Sequence, residues 1–199
     1  MPAQLLTRRA YREKPGLPFL DGLALVHARA HEFCGPARRT LALLVARATE
    51  GPVFWIMPEW HHDRLNGEGV VAFIDPGRLT FVRPKRPEDL LWSMEEVLRS
   101  GCVPLVIAEL PGIPGLTGVR RLHLAAETAA REHKTLPLGL LLVAGQGGAP
   151  GVESRWHMKP AHQAGRQSWQ LERRRDRMAP PKAWLVERIA GRFQCNAPP

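Results

Sequence analysis

The chain has few cysteines, and no two of them are close together. Among 199 residues only Cys34, Cys102 and Cys195 occur, widely spaced and never in a C-x-x-C pair. Disulfide-stabilised folds use even sets of cysteines, and zinc ribbons use closely spaced pairs. The sequence therefore argues against both classes, and we expect a cytoplasmic protein.

Long apolar runs are also missing. No run approaches the roughly 18 apolar residues of a membrane-spanning helix, and Arg8, Arg9 and Arg12 are not followed by an apolar stretch of signal-peptide length. A length of 199 residues and an apolar content of 44% suit one domain with a full core plus a tail. We therefore predict a soluble intracellular protein without a membrane partner.

Basic residues are in excess, and they are concentrated near the C-terminus. The chain has 28 Lys and Arg against 19 Asp and Glu, a net charge of +9. Residues 151–199 alone hold 10 Lys and Arg against 4 Asp and Glu, a net charge of +6. This asymmetry predicts a polyanionic partner, with nucleic acid as the first candidate, that contacts the C-terminal region. A basic surface that serves solubility alone is the alternative.

Helix and strand patterns alternate through the middle of the chain. Apolar residues spaced three and four apart predict helices over 36–49, 87–101 and about 117–132. Short apolar runs predict buried strands over 52–58, 78–82, 103–110 and 138–143. The structure of residues 66–74 stays open. The alternation predicts an α/β fold in which a mainly parallel sheet is flanked by helices.

After residue 150 apolar and polar residues alternate, which predicts half-exposed strands in SRWHMKPA, SWQLERRRDR and KAWLVERI. Short linkers separate these segments, so the C-terminal end of the sheet is expected to be antiparallel. The residues expected on its covered face are Trp156, Trp169, Leu171, Trp184 and Val186. We therefore divide the chain into a loosely held lead-in (1–22), an α/β core (23–150) and a basic antiparallel extension (151–199).

The segment HEFCGPARRT, residues 31–40, stands where a nucleotide-binding protein keeps its phosphate loop, next to the first predicted helix. A working loop needs G-x-x-x-x-G-K-[ST]. Its glycines let consecutive N–H groups surround the phosphates, and its lysine and hydroxyl bind phosphate and magnesium. Here the second glycine and the lysine are missing. We expect a degenerate loop, no cofactor and no catalysis; the residues of this loop are Gly35, Arg38, Arg39 and Thr40.

Glu109 ends a predicted buried strand, which is the position of an acid that would hold magnesium. Without a phosphate loop, the favoured interpretation is a carboxylate that accepts hydrogen bonds from loop N–H groups. A residual ATPase that uses Arg39 and Glu109 stays open as an alternative.

Other chemical motifs are weak. His27, His31 and Cys34 have helical ligand spacing, but no fourth metal ligand is identifiable. The same holds for the adjacent residues 61–63. No serine lies in a G-x-S-x-G frame. The sequence therefore predicts neither a metal site nor an enzyme.

A basic cluster lies in the extension. Because alternate residues of a strand face the same side, Arg173, Arg175 and Arg177 are expected to share a face. They and Lys182 are candidates for contact with phosphates or a partner; a solvated sheet edge protected by charge is the alternative. Trp169 is a candidate for stacking on bases, and filling the core is its alternative.

Six segments carry a family resemblance: HEFCGPARRTLALLVA, IDPGRLTFVRPKRPEDLLWSMEEVLRSG, VPLVIAEL, GVRRLHLAAE, SRWHMKP and LERRRDRMAPPKAWLVER. Within about 31–190 the chain resembles RecA-like proteins, and among them the ImuA family of small SOS-associated proteins. The resemblance implies a RecA-like fold. It also implies a non-catalytic accessory role in SOS-induced translesion DNA synthesis, beside an ImuB-like protein and an error-prone replicative-type polymerase. RecA, and DNA bound through the basic C-terminal region, are further candidate partners.

A second resemblance leads to another function. Cell-division inhibitors of the SulA type also look like truncated RecA-like domains, so a protein-binding SOS division inhibitor is the alternative. A degenerate loop predicts that Gly35→Ala and Arg39→Ala leave mutagenesis largely intact. Trp92, in the middle of the helix predicted over 87–101, is expected at or near the packed layer.

Overall fold

The computed structural model describes residues 16–197. Its first half contains β1 (Gly16–Leu20), β2 (Leu23–Val26), β3 (Ala30–Cys34), α1 (Arg38–Arg47), β4 (Val53–Ile56), α2 (Gly67–Val71), β5 (Leu79–Val82) and α3 (Pro87–Ser100). Its second half contains β6 (Leu105–Leu110), α4 (Leu116–Glu132), β7 (Leu138–Val143), β8 (Ser154–Pro160), β9 (Gln167–Asp176), β10 (Lys182–Ile189) and β11 (Arg192–Asn196).

Nine strands form one mixed sheet in the order β11-β10-β9-β8-β3-β7-β6-β4-β5. The strands from β8 to β5 in this order pair in parallel, whereas β8, β9, β10 and β11 pair antiparallel. The α/β class and the antiparallel C-terminal end are therefore confirmed. Strand β8 pairs directly with β3, so the extension continues the sheet of the core. Within residues 16–197 no helix has both the length and the apolar composition to cross a membrane.

The local sequence of helix α3 explains where this helix begins and ends and which of its sides is buried. Pro87 occupies the first turn, where its missing N–H costs no hydrogen bond, and Glu88 follows near the positive end of the helix dipole. Gly101 ends the helix at φ 62°, a left-handed conformation that glycine adopts without strain. The helix is buried along one stripe that consists of Leu90, Met94, Glu95 and Leu98.

Two apolar layers lie on opposite faces of the sheet. Helix α1 and the β1–β2 hairpin cover one face, and α3 and α4 cover the other. Strands β6 and β7 are buried along their whole length, as expected for parallel strands covered on both faces. The covered face predicted for the extension is confirmed, because all five of its residues are buried on the α1 side: Trp156, Trp169, Leu171, Trp184 and Val186.

The lead-in predicted for residues 1–22 differs from the structure after residue 15; residues 1–15 lie outside the described part. Strand β1 pairs with β2 through a turn at Gly22, whose φ is 68°. The buried Phe19 ring meets the Trp156 ring edge-on, with centroids 5.6 Å apart. Because Pro18 and the flanking glycines interrupt the apolar pattern of this hairpin, its strands could not be predicted from periodicity.

Three further elements were not predicted as such: β3, β11 and the short helix α2. Strand β3 is AHEFC, in which His31 and Glu32 are fully covered although both are polar. A hydrophobic pattern cannot identify a strand whose buried positions include charged and polar groups. Their partners lie far away along the chain.

The expectation for Trp92 is wrong, because 56% of this side chain is exposed. Helix α3 faces the sheet with Leu90 and Met94. A residue two positions after Leu90 lies about 200° further round the helix. Trp92 therefore points away from the packed layer.

Candidate functional site

The degenerate loop lies at the carboxyl end of β3 and leads into α1. Gly35 has φ 88° and donates its N–H to the Gly145 carbonyl at 3.0 Å, while the N–H of Ala37 donates to the Met158 carbonyl at 3.0 Å. Arg38 returns both its N–H and a guanidinium hydrogen bond to the Gly35 carbonyl. Three N–H groups of this loop, those of Gly35, Ala37 and Arg38, are thus bonded within the chain and are not directed at a ligand.

Arg39, in the first turn of α1, reaches across to Glu109 in β6. Its Nε lies 3.0 and 3.1 Å from the two carboxylate oxygens, and one Nη lies 2.7 Å from Oε2. The same Nη donates to the Asp63 carbonyl at 3.0 Å, and Trp55 Nε1 donates to Glu109 at 2.8 Å. Glu109 is only 5% exposed.

This ion pair bears on both interpretations of Glu109: as an acceptor of hydrogen bonds from loop N–H groups, and as the magnesium-holding acid of a residual ATPase. The carboxylate accepts hydrogen bonds from Arg39 and Trp55 side chains, not from loop N–H groups. The two residues that a residual ATPase would use are bound to each other. A guanidinium held against both carboxylate oxygens neutralises the charge that would attract a magnesium ion. Thr40 is half-buried in the first turn of α1.

A second buried ion pair lies next to the loop and was not foreseen. Glu32 in β3 pairs with Arg155 in β8, and its Oε1 accepts hydrogen bonds from the N–H groups of Gly148 at 2.7 Å and Ala149 at 3.0 Å. The glycine-rich segment 145–151 wraps its amides around this carboxylate. Only two features of the sequence pointed to this pair: an acidic residue two positions before Cys34 and a distant run of glycines.

Two of the metal-ligand candidates, His31 and Cys34, already have protein partners. His31 contacts Ser154 Oγ at 2.7 Å and the Val26 carbonyl at 3.0 Å, and burial lowers its pKa to about 4. Cys34 donates to two backbone carbonyls, and burial raises the pKa of its thiol to about 11. Across residues 16–197 no three His, Cys, Asp or Glu side chains are grouped as metal ligands would be.

The expectation that Arg173, Arg175 and Arg177 share a face is wrong. A bulge shifts the β8–β9 register, so that Arg175 lies opposite Arg155 whereas Arg173 lies opposite Trp156. Neighbouring residues of β8 face opposite sides, and the bulge therefore sends Arg173 to the α1 side and Arg175 to the other side.

Internal contacts occupy two members of this cluster. Arg173 lies 5.7 Å from the Trp156 ring and 5.3 Å from the Trp184 ring, and it donates to the Pro180 carbonyl. Arg177 lies on the other side, where it contacts Glu153 and the Gly151 carbonyl. Arg175 is exposed and makes no ion pair with any residue of 16–197.

Trp169 and Lys182 differ in accessibility. Trp169 is 7% exposed and packs against the rings of His162 and Phe193, so it cannot stack on a base as the sequence suggested. Lys182 is exposed, with its Nζ 5.4 Å from the Trp184 ring. Of these two candidates, only Lys182 is accessible to a partner.

Comparison of the chain with models of known protein families finds no match. Comparison with curated protein sequences also finds none. The residues and contacts described above, with the resemblance of the sequence segments, are therefore the basis for a function.

Proposed function

We propose that the protein is a non-catalytic accessory protein in SOS-induced error-prone translesion DNA synthesis. It has a RecA-like core and acts with an ImuB-like protein and an error-prone replicative-type polymerase. The observation that supports this best is the ion pair between Arg39 and Glu109 at the position of a nucleotide site.

The position of this ion pair is informative. In open α/β sheets ligands bind beyond the carboxyl ends of the parallel strands, and the loop between β3 and α1 lies there. A nucleotide would need free N–H donors and a free acid at this place. Here the N–H groups of Gly35, Ala37 and Arg38 are bonded to the chain, and the acid is bound to Arg39. The core thus keeps the architecture of a nucleotide-binding domain and serves as a scaffold.

Partner contact is assigned to the basic extension. Its exposed cations include Arg175 and Lys182 on opposite sides of the sheet. Cations on both sides suit an adaptor that contacts more than one acidic surface, such as DNA and an acidic patch on RecA or on a polymerase subunit.

Two measurements test the proposal. Cells that lack the protein are expected to show fewer damage-induced mutations, restored by the wild-type gene, and equilibrium dialysis is expected to detect no ATP binding near 1 mM. ATP binding tighter than roughly millimolar would contradict the closed site. If tagged protein from damaged cells recovers division-ring components instead of polymerase components, the division-inhibitor alternative is correct.

A further inference from the structure

Three arginines lie near the β11 edge of the sheet. Arg47 ends α1, Arg188 lies near the end of β10, and Arg192 begins β11. The guanidinium carbons of Arg47 and Arg188 lie 5.5 and 5.8 Å from the centre of the Phe193 ring. One aromatic ring thus holds two of these cations near each other.

These three arginines have no carboxylate partner within residues 16–197, unlike Arg39, Arg155 and other arginines of the chain. Arg47 donates only to the Gly191 carbonyl, at 3.4 Å. Cations held close together repel one another, and an anion that binds between them removes this cost.

A cavity of about 600 Å³ opens beside the arginines. It is lined by the β1–β2 turn (residues 18–22), by Leu44 and Arg47 of α1, and by Arg192 and Phe193 of β11. One wall is therefore apolar and the other cationic. The lining contains one carboxylate, Asp21, which accepts the Cys195 N–H at 3.4 Å.

We propose that this cleft binds one nucleotide of a single-stranded nucleic acid. Its phosphate lies between Arg47 and Arg192, and its base lies against the apolar wall formed by Pro18 and Leu20. Only an unpaired strand offers a base that can enter such a cleft. An acidic peptide would match the arginines but would leave the apolar wall uncovered. The choice of DNA over RNA rests on the proposed function.

The test is binding of a fluorescein-labelled 15-mer of thymidylate, followed by anisotropy from about 25 to 200 mM salt. The variant Arg47→Ala/Arg192→Ala is expected to bind about tenfold more weakly at low salt. Because both arginines contact the same phosphate, the slope of log affinity against log salt should fall by about 0.7.

Two matched variants sharpen this test. Arg120→Ala/Arg131→Ala removes two exposed cations from α4, on the opposite side of the sheet, and is expected to keep the wild-type slope. Arg47→Lys/Arg192→Lys keeps both charges and is expected to retain most of the slope. Near-ultraviolet circular dichroism checks that each variant is folded.

Several outcomes would overturn the inference: no binding by the wild-type protein at low salt, or an equal loss of slope in the α4 control. Displacement of the 15-mer by poly-glutamate or by a duplex of equal length as readily as by unlabelled 15-mer would also overturn it. Binding of thymidine monophosphate as tightly as the 15-mer would assign the site to a free nucleotide instead. The proposed function is tested separately by mutation frequency, so either can fail while the other stands.

Discussion

Gly35 shows at the scale of one residue that the loop has a packing role. A Cβ built on Gly35 would overlap the Met158 carbonyl oxygen and lie 2.8 Å from His157 Nε2. The prediction that Gly35→Ala leaves mutagenesis largely intact considered only the absent phosphate and not stability. The loop packs against β8, and this contact depends on the missing side chain.

We expect Gly35→Ala to destabilise the protein more than Gly51→Ala does. Both glycines have nearly the same φ, 88° and 85°, so the cost of about 1–2 kcal/mol for a left-handed alanine applies to both. A Cβ on Gly51 meets nothing closer than 4.0 Å, whereas the overlap at Gly35 adds at least about 1–3 kcal/mol. Urea unfolding measures both, and equal losses would contradict the packing argument.

Arg39→Ala is likewise expected to destabilise the protein, by about 3 kcal/mol, because it leaves the buried Glu109 carboxylate without its cation. Adding Glu109→Gln should recover part of this loss, since the amide carries no charge. Arg38→Ala, which removes only a 3.2 Å bond to a carbonyl, is the control and should cost under about 1 kcal/mol. An unchanged stability of Arg39→Ala would show that the pair is not formed in solution.

His123 gives the protein a defined acid sensitivity. Burial, and then the nearby Arg29, lower the pKa of His123 to about 4, and its Nε2 contacts the Gly151 carbonyl. An unfolded histidine has a pKa of about 6.5. As the pH falls from about 6.5 to about 4, the unfolded state takes up a proton that the folded state does not, so stability is lost in that window.

Urea unfolding at pH 7.5 and pH 5 measures this effect. His123→Gln should reduce the loss between the two values by about 2 kcal/mol relative to the wild-type protein. The variant still loses some stability between pH 7.5 and pH 5, because burial also lowers the pKa of His31 to about 4. An identical loss in the variant would show that His123 takes up its proton in the folded state.

At the scale of elements, helix α3 exposes the ring of Trp92, although its sequence predicted this ring at or near the packed layer. Trp92→Ala is expected to change the free energy of unfolding by under about 1 kcal/mol, because the ring points away from the sheet. Trp156→Ala, at a fully buried ring, is the control and should cost about 3–5 kcal/mol. A loss of about 3 kcal/mol for Trp92→Ala would mean that a further contact covers this face in solution.

The bulge in β9 changes how the basic cluster can act. Without it, three alternating arginines would form one row that could contact a single backbone. With it, Arg173 lies over tryptophan rings and Arg175 lies on the other side. One partner therefore cannot contact both from the same side, and a variant of both residues would combine a packing defect with a binding defect.

At the scale of the whole molecule, the core and the extension share one sheet and one apolar layer. Removing residues 151–199 would take β8 from the side of β3 and expose Phe33, and we expect the shortened chain to show no cooperative unfolding. The full chain should unfold in one transition, with tryptophan fluorescence and far-ultraviolet circular dichroism coinciding. A shortened chain with its own cooperative transition would show that the core folds alone.

The sequence by itself determined the features that depend on neighbours along the chain. Periodicity and end signals located α1, α3 and α4, the strands between them and the alternating strands of the extension. The tryptophans of the covered face followed from the same period of two. That the phosphate loop lacks its second glycine and its lysine could be recognised from the sequence alone.

Only the tertiary structure decided which distant groups meet. Arg39 and Glu109 are 70 positions apart and Glu32 and Arg155 are 123 apart, so no local pattern predicts either pair. The arginines beside Phe193 come from α1, β10 and β11, which only the sheet order brings together. Whether a charged side chain is paired, stacked or free depends on these contacts across the fold, because burial and electrostatic pairing act through space.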